Sequence, residues 1–224
     1  MIRLTPRLQA VADCVEAGNV IADIGTDHAY IPAYLIENGI IPSAYACDVR
    51  QGPLENARKT ARRYEIDGIR FVLSDGLQAL ECEQEEFSYI VIAGMGGELI
   101  RDILERSPWC HNPRYTFVLQ PMTRARVLRE WLYQNGFEIL QESIAKEDNK
   151  LYNIMKVRFS AHSKSLTEAE AYLGFATESE YFHFHKQAQL KRLQKVYDSL
   201  QNKKDSEAQR QKISELMKEI EVYK

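Results

Sequence analysis

Val20-Ile21-Ala22-Asp23-Ile24-Gly25-Thr26-Asp27-His28-Ala29-Tyr30 decides the reading of this chain. Residues Asn19–Asp23 read as a strand that runs straight into Gly25, and a helical pattern starts near Tyr30. A strand–glycine–helix corner is where α/β proteins bind the polar parts of nucleotide-like ligands. The next apolar run, Ala44 to Cys47, ends in Asp48, at the offset of a carboxylate that grips a ribose. A dinucleotide fingerprint would place a second glycine two positions after Gly25. Asp27 stands there instead. An anionic side chain repels a pyrophosphate and suits a cationic ligand, which favours S-adenosylmethionine over a nicotinamide dinucleotide.

Outward from that corner, strands alternate with helices. A helix is expected after Pro6, from Leu4, Leu8, Val11 and Val15 at helical spacing. Helices are expected at Tyr30–Asn38 and from Pro53 to about Tyr64. Strands are expected at Ala44–Asp48, Ile69–Leu73, Tyr89–Ala93 and Tyr115–Leu119. Helices at Glu98–Glu105 and Thr123–Asn135 follow the last two. Phe137–Ala145 and Tyr152–Phe159 read as a closing antiparallel pair across a polar turn at Lys146–Lys150. The alternation predicts a Rossmann-like α/β domain: a mostly parallel sheet with helices on both faces and an antiparallel hairpin at its end.

The pattern changes after Ser160. Glu168 to Leu200 reads as one long helix, with Gly174 and the aromatic cluster Tyr181 to Phe184 as irregularities near its base. Leu190, Leu193, Val196, Tyr197 and Leu200 form its apolar stripe. A turn at Asn202-Lys203-Lys204-Asp205 would join it to a second helix carrying Ile213, Leu216, Met217, Ile220 and Tyr223. The expected organisation is a domain at 1–160 and a helical coiled-coil hairpin at 161–224.

Composition bounds the function classes. The chain has 224 residues, 45% of them hydrophobic and 27% charged. No apolar run approaches the roughly 18 residues of a membrane span, and Met1 to Arg7 lacks a signal-peptide core. Cys14, Cys47, Cys82 and Cys110 form no paired motif, so they read as reduced thiols and the expected location is the cytoplasm. No Cys/His spacing suggests a metal, and the net charge of −3 neither requires nor forbids a nucleic-acid partner.

The strand ends carry the candidate chemistry. Asp23, Asp27, Asp48 and Asp75 each sit at one, and ligands bind along that edge of an open α/β sheet. Asp48 would accept hydrogen bonds from ribose hydroxyls, and Asp75 one from an adenine amino group. Gly25 and the Gly94-Met95-Gly96-Gly97 stretch would allow close approach of a ligand. Met95 adds a soft surface for a methyl-bearing sulfur or a flipped base. His28 is either an acid–base group or a holder of the loop. Three basic groups are candidate RNA contacts: Arg58, Lys59, Arg62 and Arg63; then Arg124, Arg126 and Arg129; then Lys186, Lys191, Arg192 and Lys195. On these residues alone an oxidoreductase or a non-catalytic RNA-binding module stays open beside a methyltransferase.

Taken together, Ala22-Asp23-Ile24-Gly25-Thr26-Asp27-His28-Ala29-Tyr30-Ile31-Pro32, Asp48-Val49-Arg50-Gln51-Gly52-Pro53-Leu54, Ser74-Asp75-Gly76-Leu77, Gly94-Met95-Gly96-Gly97 and Leu119-Gln120-Pro121 resemble the bacterial tRNA adenine-22 N1-methyltransferases over nearly the whole chain. The resemblance implies transfer of a methyl group from S-adenosylmethionine to N1 of a tRNA adenine. It implies cofactor contacts at Asp23, Gly25, Thr26, His28, Asp48, Val49, Asp75, Gly76 and Gly94. Asp27 is the expected partner of the reacting adenine, with Met95 beside it. N6-adenine methylases carry an Asn/Asp-Pro-Pro-aromatic motif after the fourth strand, and Gly94-Met95-Gly96-Gly97 stands in its place. N1 lies on the Watson–Crick edge, so the target base must be unpaired or flipped out. The helical hairpin would grip the tRNA or mediate dimerisation.

Overall fold

The computed structural model describes residues 1–83, 86–201 and 206–223. Seven strands form one sheet: β1 (Ile21–Ile24), β2 (Ala44–Asp48), β3 (Ile69–Leu73), β4 (Tyr89–Gly96), β5 (Thr116–Thr123), β6 (Phe137–Glu147) and β7 (Lys150–Phe159). Their order is β3-β2-β1-β4-β5-β7-β6. The first five are parallel, and β7 runs antiparallel between β5 and β6. The closing hairpin thus joins the sheet at the β5 edge through its second strand, leaving β6 outermost.

Alternation along the strands gives the sheet two apolar faces. Ile21, Ala44, Tyr89, Val91 and Val118 point to one face. There α1 (Pro6–Ala12) and α2 (Tyr30–Glu37) cover them with Val11, Ile31 and Leu35. On that side α3 (Gln51–Tyr64) seats Ala57 against Ala46, Ile69 and Phe71 at the β2–β3 edge. Ala22, Tyr45, Ile90, Ile92, Phe117 and Leu119 point to the other face. They meet α4 (Gly97–Glu105) and α5 (Ala125–Gln134) through Ile100, Leu104, Leu128 and Leu132. With both faces covered, helix–strand–helix alternation yields the three-layer packing that the sequence pattern predicts.

β4, β5 and β6 run two to four residues past their expected ends. The glycine-dense stretch after Ala93 is strand: Met95 pairs with Pro121 and Gly96 with Thr123, with register shifts on either side. Glycine weakens the local strand signal, yet pairing to β5 satisfies the backbone there. The expected five-residue turn is a two-residue one, Asp148-Asn149, with Asp148 at φ 54°.

The appendage departs from one long helix. It comprises α6 (Glu168–Leu173), α7 (Phe182–Leu200) and α8 (Glu207–Val222). Thr167 and Glu170 start α6 as a reciprocal capping box. Gly174 at φ 71° ends it, and a Cβ there would lie 2.3 Å from the Glu142 carboxylate. The expected turn at 202–205 lies outside the described residues. α7 and α8 are antiparallel: Lys186 Nζ donates to the Glu221 and Tyr223 carbonyls, and Ser206 Oγ to the Leu200 carbonyl. Leu193, Leu200, Leu216 and Ile220 are buried between them, whereas Val196 is exposed and leaves the expected stripe.

The appendage is welded to the sheet domain. Ile144 and Leu151, from β6 and β7, share an apolar cluster with Leu173, Phe182 and Ile220. Beneath it lies a buried ion pair. Arg129 on α5 meets Glu142 on β6, both almost fully enclosed. Arg129 Nη1 also donates to the Ala171 carbonyl, and Glu142 accepts from the Phe175 amide, each at 2.9 Å. His185 is buried beside this pair, and burial lowers its pKa to about 4.

Candidate active site

After β1 the chain turns at Gly25, with φ at 73°. The Gly25 and Thr26 amides donate to the Cys47 carbonyl at 2.8 and 2.9 Å, tying the corner to β2. Asp27 and Ala29 then adopt left-handed φ values of 47° and 53°. Aspartate tolerates this region, but a buried alanine there is unusual, with a cost on the order of 1–3 kcal/mol. Strain of this kind, held by surrounding structure, clusters at functional sites. Its result here is that Asp27 and His28 stand outward at the strand end. The His28 and Tyr30 rings stack with centroids 5.3 Å apart, and His28 Nε2 lies 3.6 Å from Asp27 Oδ2.

These residues line a cleft of about 360 Å³ together with Arg7, Leu8, Asp23, Gly25, Ala93 and Gly94. Asp23 forms its buried floor and accepts the Thr26 hydroxyl at 2.6 Å. Burial pushes the Asp23 carboxyl up to about 6, the Thr26 bond opposes the rise, and the neighbouring Asp48 charge adds to it. Gly94 opens the opposite wall. Its amide donates to Gln120 Oε1 at 3.1 Å, and Arg7 Nη1 donates to the same oxygen at 2.7 Å.

The structure brings Asp23, Gly25, Thr26, Asp27, His28 and Gly94 into one cleft. Asp48 sits at the next strand end, nearly buried, with one oxygen accepting the Arg50 amide; Val49 beside it is exposed. Asp75 is exposed at the end of β3 and is held by Arg106 through both oxygens at 3.0 and 3.3 Å. Met95 and Gly76 do not line this cleft. The Met95 methyl, the end of a flexible side chain, occupies the space a Gly25 Cβ would need, 2.1 Å from it; the positive φ is what fixes glycine at this turn. A Cβ at Gly76, where φ is also positive, would lie 2.9 Å from the branched Ile103 side chain.

Sequence reasoning missed Arg7 and Tyr30 in the cleft, and Gln120 buried behind its wall. Tyr30 and Gln120 fall within quoted motifs, but only the fold shows that one lines the cleft and the other holds Arg7 and Gly94, which do. Arg7 carries no local signal, because it arrives through the packing of α1.

The basic groups do not converge. Arg58 stacks on Phe71 at the β3 edge, and Arg62 is exposed beside it. The appendage sits at the opposite edge, across six inter-strand spacings or roughly 29 Å. There Lys191, Arg192 and Lys195 are exposed, whereas Lys186 caps the end of α8. Arg124 is exposed at the start of α5. Arg126 is bound to Glu130 and the Tyr172 hydroxyl, and Arg129 is buried. Arg126, Arg129 and Lys186 therefore serve the fold. A basic residue at helical spacing looks the same in sequence whether it faces solvent or a carboxylate. Among the described residues, no group of three or more His, Cys, Asp or Glu is placed to hold a metal ion, and no helix is long and apolar enough to cross a membrane.

Residues 4–155 match the family model of a methyltransferase domain. The chain is 33% identical to the tRNA (adenine(22)-N(1))-methyltransferase of Bacillus subtilis, over all of this chain and 96% of that one. The crystal structure of the B. subtilis M1A22 tRNA methyltransferase TrmK superposes with a TM-score of 0.84 at 30% identity, covering 99% of this chain and 97% of that one. A Streptococcus pneumoniae protein solved with S-adenosyl-L-methionine matches at 0.84 and 33% identity, with 98% of each chain covered. TrmK of M. capricolum, solved with S-adenosyl-homocysteine, matches at a TM-score of 0.82 and 28% identity, with 99% of each chain covered.

Proposed function

Since the chain belongs to the family of tRNA (adenine(22)-N(1))-methyltransferases, we propose a reading of its cleft in which each side chain serves that reaction. The enzyme transfers a methyl group to N1 of adenine 22 in tRNA. S-adenosylmethionine supplies that methyl group on a sulfonium. Its mixed charges suit the cleft: Asp23 and Asp27 are carboxylates, and Arg7 is a guanidinium. Asp48 takes the ribose hydroxyls, and Asp75 the adenine amino group of the cofactor. The tRNA substrate and the thiol composition support a cytoplasmic enzyme.

The observation that carries the reading is the strained corner at residues 25–30, which turns Asp27, His28 and Tyr30 to the mouth of the cleft together. Adenine N1 has an in-plane lone pair at neutral pH, so no base must create the nucleophile. What remains is alignment and charge. The stacked His28–Tyr30 pair offers an aromatic face to an unpaired base. Attack makes the adenine ring cationic, and the Asp27 carboxylate near its amino group stabilises that charge.

The test combines product analysis with one variant. Incubation with labelled S-adenosylmethionine and tRNA, followed by nucleoside analysis, should give 1-methyladenosine, and none from tRNA with guanosine at position 22. Asp27→Asn should lower turnover roughly 100-fold while changing cofactor affinity far less. Equal losses of turnover and affinity would make Asp27 a cofactor ligand instead, and methylation at N6 would overturn the reading.

A further inference from the structure

We infer that the Arg7 guanidinium receives the carboxylate at the methionine end of the cofactor, and that Gln120 positions it to do so. The inference rests on the functional reading above and adds a binding residue outside the strand-end motifs.

Arg7 reaches the cleft from α1, on the sheet face that also carries Asp23 and Gln120. Among the described residues, its guanidinium makes one hydrogen bond, from Nη1 to Gln120 Oε1, and Nε is buried with no partner. An arginine has five N–H donors; the enclosed Nε is out of a ligand's reach, and one bond from Nη1 leaves terminal Nη donors to spare in a residue that lines the cleft. Glu147 lies 3.9 Å from Nε but accepts the Arg7 amide and the Thr5 side chain, so it steadies the arginine without filling its donors. The face of Tyr152 sits 5.6 Å from the guanidinium carbon. A rigidly held planar fork with spare donors is the partner a carboxylate fits best.

The rest of the cleft leaves little choice. Asp23 at the floor repels a carboxylate and suits the ammonium, and the Asp27 carboxylate at the mouth repels a carboxylate as well. His28 is exposed and already beside Asp27. Gly94 removes the side chain that would screen Arg7: Arg7 Nη1 is the nearest atom to a Cβ built there, at 3.9 Å. Gln120, fully buried, holds both the Gly94 amide and Arg7, which fixes the distance between wall and guanidinium.

Calorimetry of the full chain with S-adenosylmethionine and with its decarboxylated analogue tests this directly. The analogue keeps the sulfonium and the ammonium and lacks only the carboxylate. The wild type should prefer S-adenosylmethionine by roughly 10- to 100-fold. Arg7→Gln should bind both about equally, and Arg7→Lys should fall between. Gln120→Ala should weaken the preference without removing it, as expected of a positioning residue. A melting curve with the wild-type midpoint identifies which variants are folded, and the paired ratio is read on those. An unchanged ratio in folded Arg7→Gln or Arg7→Lys overturns the inference, as does a fall in tRNA affinity with the ratio intact, which would give Arg7 to an RNA phosphate. Failure of the wild type to bind S-adenosylmethionine would instead overturn the functional reading.

Discussion

A carboxyl group shut away from water holds its proton longer, and Asp23 is such a group at the floor of the cleft. Its folded pKa of about 6 lies above the ordinary 3.8. Between those values the folded chain binds more protons than the unfolded one, so ligand-free stability falls as pH rises through that window and is flat above it. A cationic ligand has the opposite preference, because it favours ionised Asp23. Affinity for S-adenosylmethionine should therefore rise as pH increases through about 6, and Asp23→Asn should flatten the rise. Calorimetry at pH 5, 6 and 7.5 checks this, and a flat wild-type profile would remove Asp23 from ligand binding. At this scale the sequence was most legible where residues sit at strand ends. Asp23, Asp27 and Asp48 could be placed from the apolar runs before them. Arg7 could not, since nothing in Thr5-Pro6-Arg7 says which face α1 covers.

The hairpin of helices is not a detachable element. Cutting after Ser160 would uncover Ile144 and Leu151 and take the Ala171 and Phe175 backbone from Arg129 and Glu142. The pair itself would remain, but each hydrogen bond lost from a buried charged group costs about 1.5–3 kcal/mol. The truncated chain should therefore aggregate or melt well below the full chain in calorimetric scans. The segments 1–160 and 161–224 should accordingly melt together as one unit. Excising residues 195–211 and closing with a short Gly/Ser loop should leave melting of the sheet and cofactor affinity near wild type. A large loss of cofactor affinity on that excision would show that the distal hairpin supports the cleft. The α/β alternation was readable because each strand and helix has its own period. The break at Gly174 was visible only as an irregularity, because its cause is Glu142, thirty-two residues away in sequence and in contact in space. The insertion of β7 between β5 and β6 was hidden for the same reason: pairing partners are a property of the sheet, not of the strand.

Across the whole molecule, exposed cations occupy both edges of the sheet, with the cleft between them. A tRNA reaching from Arg58 and Arg62 to α7 would cross that cleft. Changing Lys191, Arg192 and Lys195 together to glutamine should weaken tRNA binding and flatten its dependence on salt by about three phosphate contacts or fewer, with cofactor affinity unchanged. An unaltered salt slope would take α7 out of the RNA interface. The strand order also bears on how the chain is made. A ribosome delivers β5 before β7, and β5 keeps an open, apolar edge until its neighbour arrives. At roughly 5–20 residues per second, the interval from Thr123 to Phe159 lasts about two to seven seconds. In that time the nascent polypeptide already holds its acidic corner, but Glu147 has yet to reach Arg7. Competence to hold a ligand thus arrives late in synthesis, and the same few seconds are when a neighbouring nascent chain can pair with the wrong edge.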